Sequence, residues 1–131
     1  MARLFAGTSG FSYPAWKPAF YPKDVPSKGF LAYYATRLNS VEINYTFRQL
    51  PSGKTLEGWL AATSGGFAFS CKAHMRLTHI MKMKDAGSFT EVFLKSLEPL
   101  RAARRLGPIL YQFAPTFKCD VQCLEDYLPL L

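Results

Sequence analysis

The sequence predicts an α/β chain of four βα units with parallel strands, and three observations carry that prediction. Short apolar runs alternate with amphipathic segments along the whole chain. No repeat, low-complexity tract or linker divides it. The apolar runs are also one-sided, because successive strand residues point to opposite faces: Val41 and Ile43 oppose Ser40, Glu42 and Asn44, and Phe67, Phe69 and Cys71 oppose Ala68, Ser70 and Lys72. Ile109, Tyr111 and Phe113 likewise oppose Leu110, Gln112 and Ala114. Strand–helix alternation requires parallel strands with right-handed crossovers. A doubly wound sheet, covered on both faces, reads as continuous apolar runs. One face turning polar toward each strand's carboxyl end instead fits a barrel wall, with helices outside and functional groups gathered inside at the top. An open sheet is the alternative this pattern leaves standing.

The elements follow in order. "RLFAG" over 3–7 reads as the first strand. Leu31, Tyr34 and Leu38 mark one face of a helix that Ser27 is expected to cap. "SVEIN" over 40–44 is the second strand, and Leu56, Trp59 and Leu60 stripe the next helix. "GFAFSCK" over 66–72 is the third strand. Ser88 and Glu91 carry the serine-x-x-glutamate capping signature ahead of Val92, Phe93, Leu97 and Leu100. Gly107 and Pro108 should stop that helix, and "ILYQF" over 109–113 is the fourth strand. Asp120 is expected to cap a last helix.

With 131 residues, 49% of them hydrophobic and 15% aromatic, the chain has material for one domain over residues 1–131 with a real core, which excludes disorder. No run is long enough for a membrane span, and "MARLFAGTSG" lacks a signal peptide's apolar centre, so a cytoplasmic protein is expected. Cys71, Cys119 and Cys123 are odd in number and lack zinc-knuckle spacing, which makes them buried or incidental thiols. Sixteen basic against 9 acidic residues give a net charge of +7, which favours anionic partners.

Candidate chemistry gathers at the expected strand ends. The loop from Gly7 to Pro26 is long for a βα connection. Its aromatics make it either a packed plug over the barrel mouth or a platform on which Tyr13 and Trp16 stack a base or sugar beside the hydroxyls of Thr8 and Ser9. Glu42 shares the polar face with Asn44 and is either a general acid or base, or the partner of Lys72 in an internal ion pair. Lys72, His74, Arg76 and His79 follow one another without a carboxylate, Lys82 and Lys84 extend the run, and Arg48 lies in the preceding loop. Such a ring of charge suits phosphate or a nucleic-acid backbone, though a solvated basic loop explains Lys82 and Lys84 as well. Two histidines and one inward carboxylate fall short of a zinc site, so neither a metal nor another cofactor is expected. One carboxylate also falls short of a glycosidase pair.

Four stretches carry a resemblance. "GTSGFSYPAWKPAFYP" (7–22), "NSVEINYTFRQLPS" (39–52), "FAFSCKAHMRLTH" (67–79) and "LGPILYQFAPTFK" (106–118) resemble, in order and spacing, the YecE-like family, catalogued as domain of unknown function number seventy-two. The resemblance implies a TIM-type (βα)8 barrel with no cofactor and no agreed reaction. Phe11 departs from the family's usual tryptophan, and Arg48 from a common aromatic. Family members run to about twice this length, in keeping with the roughly 250 residues of a full barrel, so the chain is expected to hold the first four βα units. Open edges would then call for the missing second half or a self-pairing copy, unless the chain is an inactive truncated fragment. The expected site uses Glu42, Lys72 and His79 as its catalytic group, with Thr8, Ser9, Tyr13, Trp16, Asn44, Arg48, His74 and Gln112 binding the ligand. A phosphate-bearing substrate, with hydrolysis as its reaction, is the expectation; a non-catalytic nucleic-acid-binding module is the alternative.

Overall fold

A computed structural model describes residues 2–131; Met1 lies outside them. Three parallel strands form the sheet in the order β1 (Ser40–Ile43), β2 (Ala68–Lys72) and β3 (Leu106–Leu110). The period-two pattern decides their orientation. Val41, Ile43, Phe69 and Cys71 are buried against the helices, whereas Ser40, Glu42, Ala68, Ser70 and Lys72 are only half-buried on the opposite face. Glu42 pairs in register with Ser70, which sets polar residues of β1 and β2 side by side, while Lys72 pairs with Leu110 of β3.

The strand expected over 3–7 does not join the sheet as a ladder. A single parallel bridge pairs Ser9 with Glu42, through Glu42 N to Thr8 O (3.0 Å) and Gly10 N to Glu42 O (2.8 Å). One step earlier, a regular parallel ladder would run from Thr8 N to Ser40 O. The Tyr34 hydroxyl takes that place: it accepts from Thr8 N at 2.8 Å and donates to Ser40 O at 3.0 Å. Further back the Asn39 side chain does the same, accepting from Ala6 N and donating to Leu4 O, both at 2.8 Å. Side chains thus satisfy the backbone that a strand would have used. Gly7 is required at this crossing, since a Cβ there would lie 1.9 Å from Ser40 O.

The fourth expected strand, 109–113, is shifted: it runs from Leu106 to Leu110, which leaves Tyr111, Gln112 and Phe113 beyond its end. Gly107 and Pro108 therefore lie inside β3 and do not stop the preceding helix. Their irregular pairing opposite Phe69–Cys71 is a bulge, which accommodates a proline without a donor. Ser70 Oγ donates to Pro108 O at 2.7 Å across it. The helix ends instead before Arg104, whose φ of 56° turns the chain.

Among the described residues six α-helices surround the strands in sequence: α1 (Phe30–Tyr34), ahead of β1, then α2 (Tyr45–Arg48), α3 (Gly53–Ala61), α4 (Gly87–Ser96), α5 (Glu98–Ala102) and α6 (Val121–Tyr127). Asp120 caps α6 as expected, accepting from Cys123 N at 3.0 Å. Ser52 caps α3 in the same way, from Thr55 N at 3.1 Å. Ser27 and Ser88 do not cap. Ser27 opens a 3₁₀ turn (Ser27–Gly29) that runs straight into α1, and Ser88 already lies inside α4, which the tight turn over 82–85 starts at Gly87. The single helix expected after it is broken at Leu97, with Pro99 in the first turn of α5.

The Gly7–Pro26 loop is packed. Tyr21 is fully buried, stacked on Phe30 with ring centroids 4.0 Å apart, and Trp16 and Phe20 close around it. Of the thiols, Cys71 and Cys123 are buried and Cys119 is exposed. Burial pushes the Cys71 thiol up to about 12, so it is an inert core group.

Candidate functional site

Two neighbourhoods meet at the carboxyl ends of β1 and β2. The first is a cleft of about 290 Å³ between the start of the long loop and the end of β1, walled by Tyr13, Tyr45 and Trp59. At its rim a chain of hydrogen bonds runs from Asn44 Nδ2 to Ser9 Oγ (2.9 Å) and from Ser9 Oγ to Glu42 Oε1 (2.7 Å). The backbone bridge between Ser9 and Glu42 fixes their spacing, and the Tyr13 hydroxyl donates to Ser9 O at 2.7 Å. Thr8 Oγ1 donates to Gly10 O at 2.6 Å and so shapes the loop without facing the cleft. Five expected site residues, Thr8, Ser9, Tyr13, Glu42 and Asn44, are therefore brought together.

The second neighbourhood is the basic turn. Lys72 Nζ lies 4.7 Å from the Phe47 ring centroid, and the His79 ring meets the same phenylalanine edge-on at 5.1 Å. A second phenylalanine repeats the arrangement: Arg76 lies 4.8 Å from the Phe89 centroid, with His74 edge-on at 5.2 Å. The segment expected to be irregular is a π-helical turn, Arg76–Ile80, a geometry often found at functional sites. His79 Nδ1 shares a 2.8 Å hydrogen bond with Thr78 Oγ1. His74 Nδ1 accepts from Arg76 N at 3.1 Å. Its pKa falls below the ordinary histidine value, chiefly through burial and further through the Arg76 charge, against a backbone hydrogen bond at Arg48 that favours the charged form. Thr46, fully buried in α2, donates its hydroxyl proton to Lys72 O (2.7 Å) with Ile43 O also within reach (3.1 Å), tying the ends of β1 and β2 together.

The internal Glu42–Lys72 ion pair does not form. Glu42 is engaged by Ser9, and Lys72, two residues beyond Glu42's register partner Ser70, reaches for Phe47 instead. Among the described residues the ion pairs are Lys84–Asp120 and Arg101–Glu98, so no carboxylate pairs with Lys72, Arg48 or Arg76.

The profile of a family described as "Protein of unknown function DUF72" matches residues 5–131. The chain belongs to this family. It is similar to the UPF0759 protein YunF of Bacillus subtilis, 26% identical over 105 residues that make up 77% of this chain and 37% of that protein. Among solved structures it resembles a DUF72 family protein from Thermotoga maritima, at 34% identity and a TM-score of 0.81, over 96% of this chain and 50% of that one. A DUF72 family protein from Enterococcus faecalis shares the fold, with a TM-score of 0.74 at 24% identity over 94% of this chain and 44% of that one. The chain thus spans half or less of the length of these relatives.

The remaining expected residues of this DUF72 chain lie apart from the cleft. Trp16 packs into the aromatic plug, its ring 5.6 Å from Phe20 and 6.0 Å from Tyr21, and does not line the cleft. Gln112 is exposed two residues beyond β3. Arg48 is exposed at the end of α2. Lys84 is held toward Asp120 at 3.7 Å. Sequence reasoning missed the aromatic partners: Tyr45 and Trp59 in the cleft, and Phe47 and Phe89 beneath the cations. Tyr45 and Phe47 sit within the short α2 turn, too brief to show periodicity, while Trp59 read as core stripe. Among the described residues, no three His, Cys, Asp or Glu side chains gather to hold a metal ion, and no helix is long and apolar enough to cross a membrane.

Proposed function

We propose that this DUF72 chain forms the first four βα units of a TIM-type barrel that binds a phosphate-bearing ligand at the carboxyl ends of its strands and hydrolyses it. Glu42 is the acid or base, while Lys72 and His79, with Arg48 and His74 beside them, hold and neutralise the anion. The observation that carries this reading is the separation of Glu42 from Lys72. The two charges share one sheet face yet stay unpaired, which leaves an acid–base group and a positive site both open to a ligand. A half barrel is supported by the one-sided sheet and by β3 as a last strand with Leu110 39% exposed. A covering partner, either the second half of a barrel or a paired copy, fits that face. The three free thiols suit a cytoplasmic setting.

The test pairs calorimetric binding of inorganic phosphate with hydrolysis of p-nitrophenyl phosphate and bis-p-nitrophenyl phosphate. Glu42→Gln is expected to lower turnover by roughly 100-fold or more while phosphate affinity stays within about twofold. Turnover unchanged by that substitution removes Glu42 from the chemistry. Binding of nucleic acid with a steep salt dependence, and no hydrolysis of either ester, would establish the non-catalytic module instead.

A further inference from the structure

We infer that the organic part of the ligand is a sugar ring with neighbouring hydroxyls, so that the substrate class is a sugar phosphate. This rests on the phosphate reading of Lys72 and His79 and adds what the adjoining cleft selects. The hydrogen-bond chain at the rim determines which atoms remain available. Asn44 spends Nδ2 on Ser9, and Ser9 spends its proton on Glu42 Oε1. What is left for a ligand is Glu42 Oε2, Asn44 Oδ1 and the second Asn44 Nδ2 proton, two acceptors and one donor on residues that line the cleft. The cleft therefore takes a group whose neighbouring atoms both donate and accept, and a vicinal diol does so.

The walls favour a puckered ring over a flat one. A nucleobase edge also offers neighbouring donors and acceptors, but a base is held by stacking on parallel faces. Here Tyr45 meets Trp59 edge-on at 89°, so these two rings make no parallel slot. A puckered ring lays its C–H faces against inclined aromatics of this kind. Tyr13 and Tyr45 are 40% and 44% exposed, leaving ring surface open for that contact. The volume, about 290 Å³, lies at the small end for ligand pockets and suits one ring.

The sheet joins the two parts. Lys72 lies on the face of Glu42, two residues beyond Glu42's register partner Ser70, so at about 3.3 Å per residue and about 4.8 Å between strands the two backbones are about 8 Å apart. A single sugar phosphate spans that step. Its hydroxyl then contacts the same Glu42 carboxylate that the hydrolytic reading uses as a base.

Calorimetry on the full chain with inorganic phosphate, ribose 5-phosphate and 2-deoxyribose 5-phosphate tests this. Ribose 5-phosphate is expected to bind about tenfold or more tightly than phosphate, and removal of the 2-hydroxyl to give back about tenfold, the worth of a hydrogen bond to a charged acceptor. Tyr45→Ala, at an exposed position, should bring ribose 5-phosphate down to the affinity of phosphate and leave phosphate unchanged. A deoxy compound that binds as well as ribose 5-phosphate, a gain that survives Tyr45→Ala, or no binding of ribose 5-phosphate overturns the inference. If free ribose binds and the phosphate adds nothing, the sugar site stands and the phosphate reading falls.

Discussion

The cleft and the basic turn lie at the ends of neighbouring strands and are held together by different forces. Around Glu42, placement comes from directional bonds: a backbone bridge, the Ser9 and Asn44 side chains, and the Tyr34 hydroxyl standing in for a ladder bond. Around Lys72, placement comes from cations and histidines resting on two phenylalanine rings, contacts of weak directionality. Directional bonds fix a reacting atom to within a few tenths of an ångström. Ring contacts instead keep a charge near its post while its donors remain free for a ligand. The cleft should therefore fail all at once when it is disturbed, and the basic turn by degrees.

The most damaging change is at Gly7. A methyl group 1.9 Å from Ser40 O cannot be accommodated, so in Gly7→Ala the segment must lift from β1. It then gives up the Thr8 N, Gly10 N and Glu42 N bonds, which at about 1 kcal/mol each predicts a loss of about 3 kcal/mol. Urea unfolding would show this, and turnover should fall with it because Ser9 no longer holds Glu42. A Gly7→Ala protein with unchanged stability would mean that the bridge does not organise the cleft.

Phe47→Leu probes the other region. The half-buried ring is replaced by an aliphatic side chain of lesser volume, which removes the surface beneath Lys72 and His79. Stability should drop by about 1 kcal/mol and affinity for inorganic phosphate by a few-fold, with the lysine free to wander but still present. Abolition of phosphate binding would show instead that the ring positions the cations as rigidly as hydrogen bonds position Glu42.

The same contrast explains what could be read from the sequence. Strand parity was legible, because burial on one face forces a period of two: Glu42 and Lys72 were placed on one face by alternation alone, and they lie there. The caps at Ser27 and Ser88 were not, because a capping pattern does not show where the chain enters the helix, and the backbone over 82–85 decides that for Ser88. The first strand was illegible for another reason. "RLFAG" has strand composition, but whether it pairs depends on Tyr34 and Asn39, some thirty residues away. The expected Glu42–Lys72 pair rested on charge and parity, and lost to a local hydrogen bond at one end and a ring at the other.

The smallest effect expected is a dependence on pH at His74. Burial and the Arg76 charge lower its pKa in the fold below the ordinary value of 6.5, so the unfolded chain binds more protons between the two values. Stability at this residue is therefore fully present above pH 6.5 and declines as the pH falls through the window beneath it. The ring is only partly enclosed, which keeps the change modest. In His74→Gln the decline should be shallower, measured as the difference in urea midpoint between pH 7.5 and pH 5. The lowered pKa lets His74 meet an anion chiefly as a hydrogen-bond partner at neutral pH, beside the fixed charges of Lys72, Arg76 and Arg48. An identical pH dependence in the two proteins would mean that the His74 ring is as accessible to protons in the fold as in the unfolded chain.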